Sequence, residues 1–445
     1  MKKIKLYKFR KLNLNGYWFL VVGFWLRCLY RLVQSKPTTP NRRPTTVINY
    51  QLSISIILLL SLLSSPISAN TITRDLRYCD SKIQATLNDM KQTDGGILDF
   101  TSVPWHILKG QTSWCRQTLT QENWTCGFWA ATLWLDYLAT GNEELKPLAE
   151  NYSLALYHLT RQPVYDHDLG FIIYTSYGRA YAATGNDIYR QGIINAADRL
   201  IGLYNPKVGT MLSWPRNIEA FGGHHTIMDN MINLETLFAA SRISGDSKYR
   251  DIALHHAETT MNNHFRDDYT SYHVIVYDSL TGKKTRGLTH QGYDDNSMWA
   301  RGQAWAIYGY TMVYRETHDQ RFLQFAQNIA DVYLHKLPHD LVPYWDFNDP
   351  KIPHTYKDVS AACIVASALT ELSGFIKGAK GDRYLKTAKK ILRSIRKNYQ
   401  SRDVNKAILM HSVGNFPTGT EIDASIIYAD YYYMEALYRM SEINQ

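Results

Sequence analysis

The chain has 445 residues, 45% apolar and 13% aromatic, enough to bury one large core or two modest ones, which excludes a disordered polymer. Its formal charge of +9 is uneven: residues 1–69 carry eleven Lys and Arg, from Lys2 to Arg43, and no acid, leaving 38 bases against 40 acids in the remainder. The basicity belongs to a leader, so composition gives no support to nucleic-acid binding.

Within that leader, Leu52 to Leu63 is a short Ile/Leu run preceded by Arg42 and Arg43 and followed by Ser64-Ser-Pro-Ile-Ser-Ala69. It reads as the apolar region and small-residue cleavage site of a secretory signal, cut after Ala69. A membrane span needs roughly 20 apolar residues, so no stable insertion is expected once the signal is removed, and the mature protein is expected to be periplasmic or secreted. Residues 1–50 fit no part of such a signal; they read as a start assigned too far upstream, with a true membrane anchor as the alternative. Residues 70–445 read as one catalytic domain. Its four cysteines, Cys79, Cys115, Cys126 and Cys363, have no zinc-like spacing and read as buried free thiols.

From Trp124 onward one phrase recurs: an apolar helical stretch, a Gly-Asp-like turn, and an amphipathic helix such as Tyr249 to Met261 or Phe322 to Leu334. The turns are Thr140-Gly-Asn142, Thr184-Gly-Asn186, Ser244-Gly-Asp246, Thr317-His-Asp319 and Lys380-Gly-Asp382. Gly ends the first helix in the left-handed conformation, and Asn or Asp caps the second. With a last helix around Tyr431 to Met440, the pattern predicts six hairpins closed into an all-α (α/α)6 toroid. Insertions fall between one hairpin and the next, so short strands such as one within Tyr272 to Tyr277 belong to loops on one rim.

Counting back from the turns locates that rim's residues. Trp124 lies 17 residues before Gly141, Asp168 17 before Gly185, Asp229 16 before Gly245 and Arg301 17 before His318. Each begins an inner helix about 25 Å long, so the four side chains meet at one mouth. His167, His224, His225, His273, His290 and Gln291 gather there with Trp124, Trp129, Trp214, Trp299 and Trp305. Aromatic faces beside convergent polar groups hold sugar rings, and Trp214, in the Pro-containing Leu212-Ser-Trp-Pro-Arg-Asn217, is the best stacking platform.

An Asp at a helix start is ordinarily a cap. Two on one rim also form a candidate acid/base pair: the helix N-terminus favours the ionised form, while a second carboxylate and apolar walls raise one pKa. The pair should differentiate, and the residues alone leave open which member keeps the proton. His224 and His225 are adjacent and point to different sides, with no third ligand spaced for them, so no metal and no other cofactor is expected.

Several segments resemble the unsaturated glucuronyl hydrolases of glycoside hydrolase family 88: Trp124-Thr-Cys-Gly-Phe-Trp129, His167-Asp-Leu-Gly-Phe171, Ser213-Trp-Pro-Arg216, Met228-Asp-Asn-Met-Ile-Asn233, and the long stretch from His290 through Arg301-Gly-Gln-Ala-Trp305. The resemblance implies an (α/α)6 barrel that takes lyase-generated oligosaccharides ending in a Δ4,5-unsaturated uronate and hydrates the C4=C5 vinyl ether. It implies Asp229 as the general acid and base, Asp168 as the second essential carboxylate, and His273, Gln291, Arg301 and Trp305 as the uronate pocket, with Arg301 and His273 meeting its charge. Trp124, His167 and Trp214 match further pocket positions. Lys357 to Ala362 and Phe416 to Glu421 are expected on the leaving-sugar side. Unsaturated rhamnogalacturonyl hydrolases and an ordinary inverting glycosidase on the same barrel are the enzymatic alternatives; a noncatalytic sugar-binding toroid is the other class.

Overall fold

The computed structural model describes residues 71–443; the leader, its cleavage point and residues 1–50 lie outside them. The helix over residues 71–93 (α1) comes first. Five hairpins follow: α2 (Phe128–Thr140) with α3 (Leu145–Ala155), α4 (Leu169–Thr184) with α5 (Asp187–Ile201), α6 (Asn230–Ser244) with α7 (Ser247–Asn263), α8 (Ala300–Thr317) with α9 (Gln320–Lys336), and α10 (Val359–Phe375) with α11 (Ala379–Asn398). The last helix, α12 (Ile427–Ile443), takes α1 as its outer companion, because Asp75 and Cys79 of α1 face Tyr433 of α12.

The helices α2, α4, α6, α8, α10 and α12 each pack on the next, and α12 returns to α2, which closes the ring. Inner helices are walled on both sides, so they cannot show one apolar stripe. In α8 every residue from Ala300 to Val313 is buried, and in α10 every residue from Val359 to Thr370. That is the pattern of a helix inside a core. By contrast α11 buries Tyr384, Ala388, Ile391, Leu392 and Ile395, the three-and-four spacing of a helix with one covered face.

The turns follow the chemistry predicted for them. Gly141, Gly185 and Gly245 close inner helices at φ of 69°, 64° and 77°, and His318 does so at 55°. Asn186, Asp246 and Asp319 then cap α5, α7 and α9. The fifth turn lies earlier than predicted. Helix α10 ends at Phe375 and Gly378, at φ 80°, reverses the chain, so Lys380-Gly-Asp382 falls in the first turn of α11. Gly381 is needed there for contact, since a Cβ would stand 2.0 Å from the Ile376 carbonyl oxygen.

Strands occupy four of the segments that run from an outer helix to the next inner one. Strands β1 (Ser102–Ile107), β2 (Cys115–Thr118) and β8 (Ser425–Ile426) form one antiparallel sheet; β3 (Tyr204–Asn205) pairs with β4 (Thr210–Met211); β5 (His224–Ile227), β6 (Val274–Tyr277) and β7 (Lys284–Leu288) form the third. All lie on the face where inner helices begin. Cys79, Cys126 and Cys363 are buried free thiols, whereas Cys115 is exposed on the edge strand β2. No described helix is long and apolar enough to cross a membrane.

Candidate active site

Asp168 and Asp229 stand immediately before α4 and α6, but neither is a cap. Both have helical backbone angles, and neither side chain accepts a helix N–H. The acceptor near the start of α4 is Asp166, whose Oδ1 takes the Asp168 amide at 2.9 Å while Oδ2 takes Arg216 Nη1 at 2.9 Å. Both catalytic candidates are thus left free of structural duty, and the capping interpretation fails for each.

Each carboxylate has a histidine aimed at it. His273 on the β5–β6 rim accepts the backbone N–H groups of His290 and Gln291 on Nδ1, both at 3.2 Å. Its proton therefore sits on Nε2, which faces Asp229 Oδ2 across 3.5 Å. His167 repeats the device: Asn233 Nδ2 donates to its Nδ1 at 2.9 Å, and Nε2 faces Asp168 Oδ1 at 3.6 Å. Asn233 lies one turn beyond Asp229 on α6, and Gly170 lets it approach, since a Cβ there would stand 2.3 Å from Asn233 Oδ1.

The two carboxyls differ in charge. Burial raises Asp168 well above the ordinary carboxylate range, and the neighbouring charges of Asp166 and Asp229 push it further. Burial also acts upward on Asp229, but His273, His167 and Arg301 outweigh it and hold that carboxylate below its usual value. Their surroundings thus drive the two apart, Asp168 toward its protonated form and Asp229 toward its ionised form, a division the matched positions alone left open. Burial lowers His167 to about 3, so it is neutral and its Nε2–H is a dipole rather than a cation.

Trp214 is largely buried and stacks on Phe221 at 5.6 Å and 27°, with His225 and His290 at 5.8 and 5.0 Å completing a wall. Trp124 is half-buried at the mouth and abuts Phe171 and Tyr428. Trp305 lies deeper, one turn beyond Arg301 on the same face of α8, fully buried between Phe171 and Tyr432. Trp129 is a core residue against Tyr152 rather than part of the rim. His224 and His225 do diverge: His224 Nε2 meets Thr210 Oγ1 at 3.0 Å, and His225 Nδ1 meets the Gly223 carbonyl at 3.1 Å.

Arg301 is buried and already compensated. It pairs with Asp358 at 2.9 Å, donates to the Val413 carbonyl at 2.5 Å and to the Gly414 carbonyl, and lies over the Trp299 ring at 4.6 Å. Gln291 Nε2 reaches the same Gly414 carbonyl at 3.4 Å. Both residues expected in the uronate pocket therefore hold the segment around Gly414 against it. Trp299, expected on the rim, lies against both Arg301 and His273. Asp166, Arg216, Asn233 and Asp358 join the site without having been singled out for it, although Asn233 could have been found from its i+4 spacing to Asp229.

A cavity of about 550 Å³ opens toward the other end of the barrel, where Arg179 pairs with Glu435 at 2.5 Å and Arg315 and Arg439 pair with Glu371 at 2.8 and 2.6 Å. Its charges are spent tying inner helices together. Among the described residues no three His, Cys, Asp or Glu side chains stand where they could share a metal ion.

A closed ring of helical hairpins, with two largely buried, histidine-faced carboxyls on an aromatic-walled rim, defines the (α/α)6 glycoside hydrolases as the class. The Glycosyl Hydrolase Family 88 model matches residues 100–444, and the chain belongs to that family. It is 42% identical to the unsaturated glucuronyl hydrolase of Formosa agariphila over 328 residues, 72% of this chain and 81% of that protein. It is 34% identical to the unsaturated chondroitin disaccharide hydrolase of Streptococcus pyogenes, over 72% and 82%. Among solved structures, an unsaturated glucuronyl hydrolase specific for heparin aligns with a TM-score of 0.76 at 39% identity, covering 84% of this chain and 97% of the other.

Proposed function

We propose that this protein releases the non-reducing-end Δ4,5-unsaturated uronate of lyase-generated oligosaccharides by hydrating its C4=C5 double bond. The observation that carries the reading is the divided pair: on one rim, each carboxyl faced by a histidine Nε2, Asp168 is pushed toward holding a proton while Asp229 is held toward its ionised form. A bound uronate brings a like charge to Asp229 and raises its affinity for that proton. Asp229 then delivers it to C4 and takes a proton from the water that adds at C5. The C5 hemiketal so formed opens, and the bond to the leaving sugar breaks. One carboxylate performs both transfers, so the separate acid and base spacing of an ordinary glycosidase is not required. Trp214 and Trp124 supply ring faces, and Asp168 supplies the proton and meets ring hydroxyls.

The named relatives support the uronate end and differ beyond it. A Streptococcus agalactiae aspartate-to-asparagine mutant is complexed with dGlcA-GalNAc6S, and another enzyme of this kind with dGlcA-Glc-Rha-Glc. The test is direct. Without added metal, the protein is expected to abolish the ultraviolet absorbance of unsaturated disaccharides from heparin, chondroitin or other uronate polymers. Cleavage of saturated disaccharides at equal or higher rates would exclude hydration, and preference for galacturonate-derived ends would move the protein to the rhamnogalacturonyl class.

Such substrates form where lyases act on polymers, and the leader is read as the export signal that takes the protein there. The protein recovered from periplasm or medium is expected to begin at Asn70; recovery of an intact Met1 terminus from membranes would favour an anchor.

The upward shift of Asp168, driven by burial and by Asp166 and Asp229, also gives a pH dependence. A carboxyl whose pKa is raised loses its proton as pH climbs through that value, so activity is expected to fall on the alkaline side. Asp168 is faced by Asp166, Asp229, Arg216 and His167. Asp166→Asn removes one negative charge and keeps an acceptor for the Asp168 amide. It should move the alkaline limb of kcat down by about one pH unit, with little change in KM. An unmoved limb would show that Asp168 is not the group that must stay protonated.

A further inference from the structure

The outer helices mix their charges, with one exception. Helix α5 carries Asp187, Arg190, Asp198 and Arg199, and α7 carries Lys248, Arg250, Asp251 and Glu258. Helix α11, the longest of the five hairpins' outer helices, carries eight Lys and Arg in 20 residues against Asp382 alone. Its apolar face is packed into the barrel. On the opposite face Arg383, Lys386, Lys390, Arg393 and Lys397 recur at three-and-four spacing, all exposed. They form one stripe about 21 Å long at the standard rise.

The ion pairs of α11 are those of Lys380 and Arg383 with Asp331, at 3.1 and 2.6 Å, and of Arg396 with Asp75, at 3.4 Å. Lys386, Lys390, Arg393 and Lys397 have no acid partner among the described residues. Like charges at i,i+4, such as Lys386 with Lys390 and Arg393 with Lys397, repel each other and so destabilise a helix. A sign-mixed surface, as on α5 and α7, would keep the helix soluble without that cost. The stripe also has a direction. Helix α11 starts at the end where inner helices finish, and its C-terminal end, with Lys397, lies on the face where they begin, which is the face of the carboxylate pair.

We propose that the α11 stripe docks an intact uronate-bearing polysaccharide, holding the enzyme beside the polymer whose lyase products it consumes; this rests on the hydration reading above. A row of fixed cations with small or half-buried Thr387 and Ser394 between them complements a chain of carboxylates or sulfates. The stripe offers no exposed apolar or aromatic side chain on which a bilayer or a nucleic-acid base would pack. The charge is invisible in the composition, because the described domain as a whole is nearly neutral.

The experiment compares the wild type with Lys386→Gln/Lys390→Gln/Arg393→Gln/Lys397→Gln, both with the same N-terminus so that any leader contributes equally. Binding to intact heparin and chondroitin sulfate at about 0.1 M salt is expected to weaken tenfold or more in the variant. Its kcat/KM on an unsaturated disaccharide should be unchanged. A control variant, Lys146→Gln/Arg190→Gln/Arg250→Gln, taken from sign-mixed helices, should bind as the wild type does. Equal polymer affinity in the stripe variant and the wild type overturns the proposal. So does a wild type that binds DNA or phosphatidylserine vesicles as tightly as the polysaccharides and loses all of them in parallel. A wild type that leaves the disaccharide untouched counts against the hydration reading, and is told apart by that assay alone.

Discussion

Asp229→Asn is expected to lower kcat on unsaturated disaccharides by about 10²–10⁴-fold while leaving their affinity within a few-fold. The substitution is nearly isosteric, and an asparagine Oδ1 can still face the Nε2–H of His273, which its contacts with the His290 and Gln291 amides hold in place. What is lost is the ability to carry a proton to C4 and take one from water. The change also removes a negative charge near Asp168, so the remaining carboxyl should give up its proton at lower pH. A noncatalytic sugar-binding toroid would show no wild-type turnover to lose, and an ordinary glycosidase would lose activity on saturated substrates as well. If kcat stays within tenfold of the wild type, Asp229 is not the group that moves the proton.

The rim was legible because its elements are local. Inner helices of similar length, 16, 15 and 18 residues for α4, α6 and α8, make a count back from a Gly or His turn land on or beside the helix start. Trp124 shows the limit, since α2 has 13 residues and the tryptophan stands four positions outside it. Trp305 shows another: in a helix buried on every side, periodicity cannot separate a side chain facing the pocket from one beneath it. The charge partition was not legible either. Sequence places Asp168 and Asp229 in equivalent positions, and what separates them is Asp166 two residues from one and His273, just before the distant strand β6, beside the other. Lys380-Gly-Asp382 misled because Gly serves there as a spacer against the Ile376 carbonyl, not as the turn.

The contact least visible in the sequence carries the largest expected effect on stability. Arg301 and Asp358 are 57 positions apart and buried together, Asp358 completely so. Arg301→Met keeps much of the side-chain volume but leaves the Asp358 carboxylate without its counter-charge, and such a break costs about 3–5 kcal/mol. Asp358 also caps α10, accepting the Ser360 amide at 3.1 Å and its hydroxyl at 2.5 Å. Asp358→Asn retains that acceptor and removes the charge, so the double variant Arg301→Met/Asp358→Asn should regain a substantial part of the loss. Denaturant unfolding of the two single variants and the double variant checks this. A loss under about 1 kcal/mol for Arg301→Met, or no recovery in the double variant, would mean that the pair is not the buried lock its geometry describes. The recovered double variant should still bind substrate poorly. The Val413 and Gly414 carbonyls lose the guanidinium in both backgrounds, leaving Gln291 as the side-chain donor to the Gly414 carbonyl beside the site. KM on unsaturated disaccharides should therefore rise more than kcat falls, which separates a residue that positions the pocket wall from one that takes part in proton transfer.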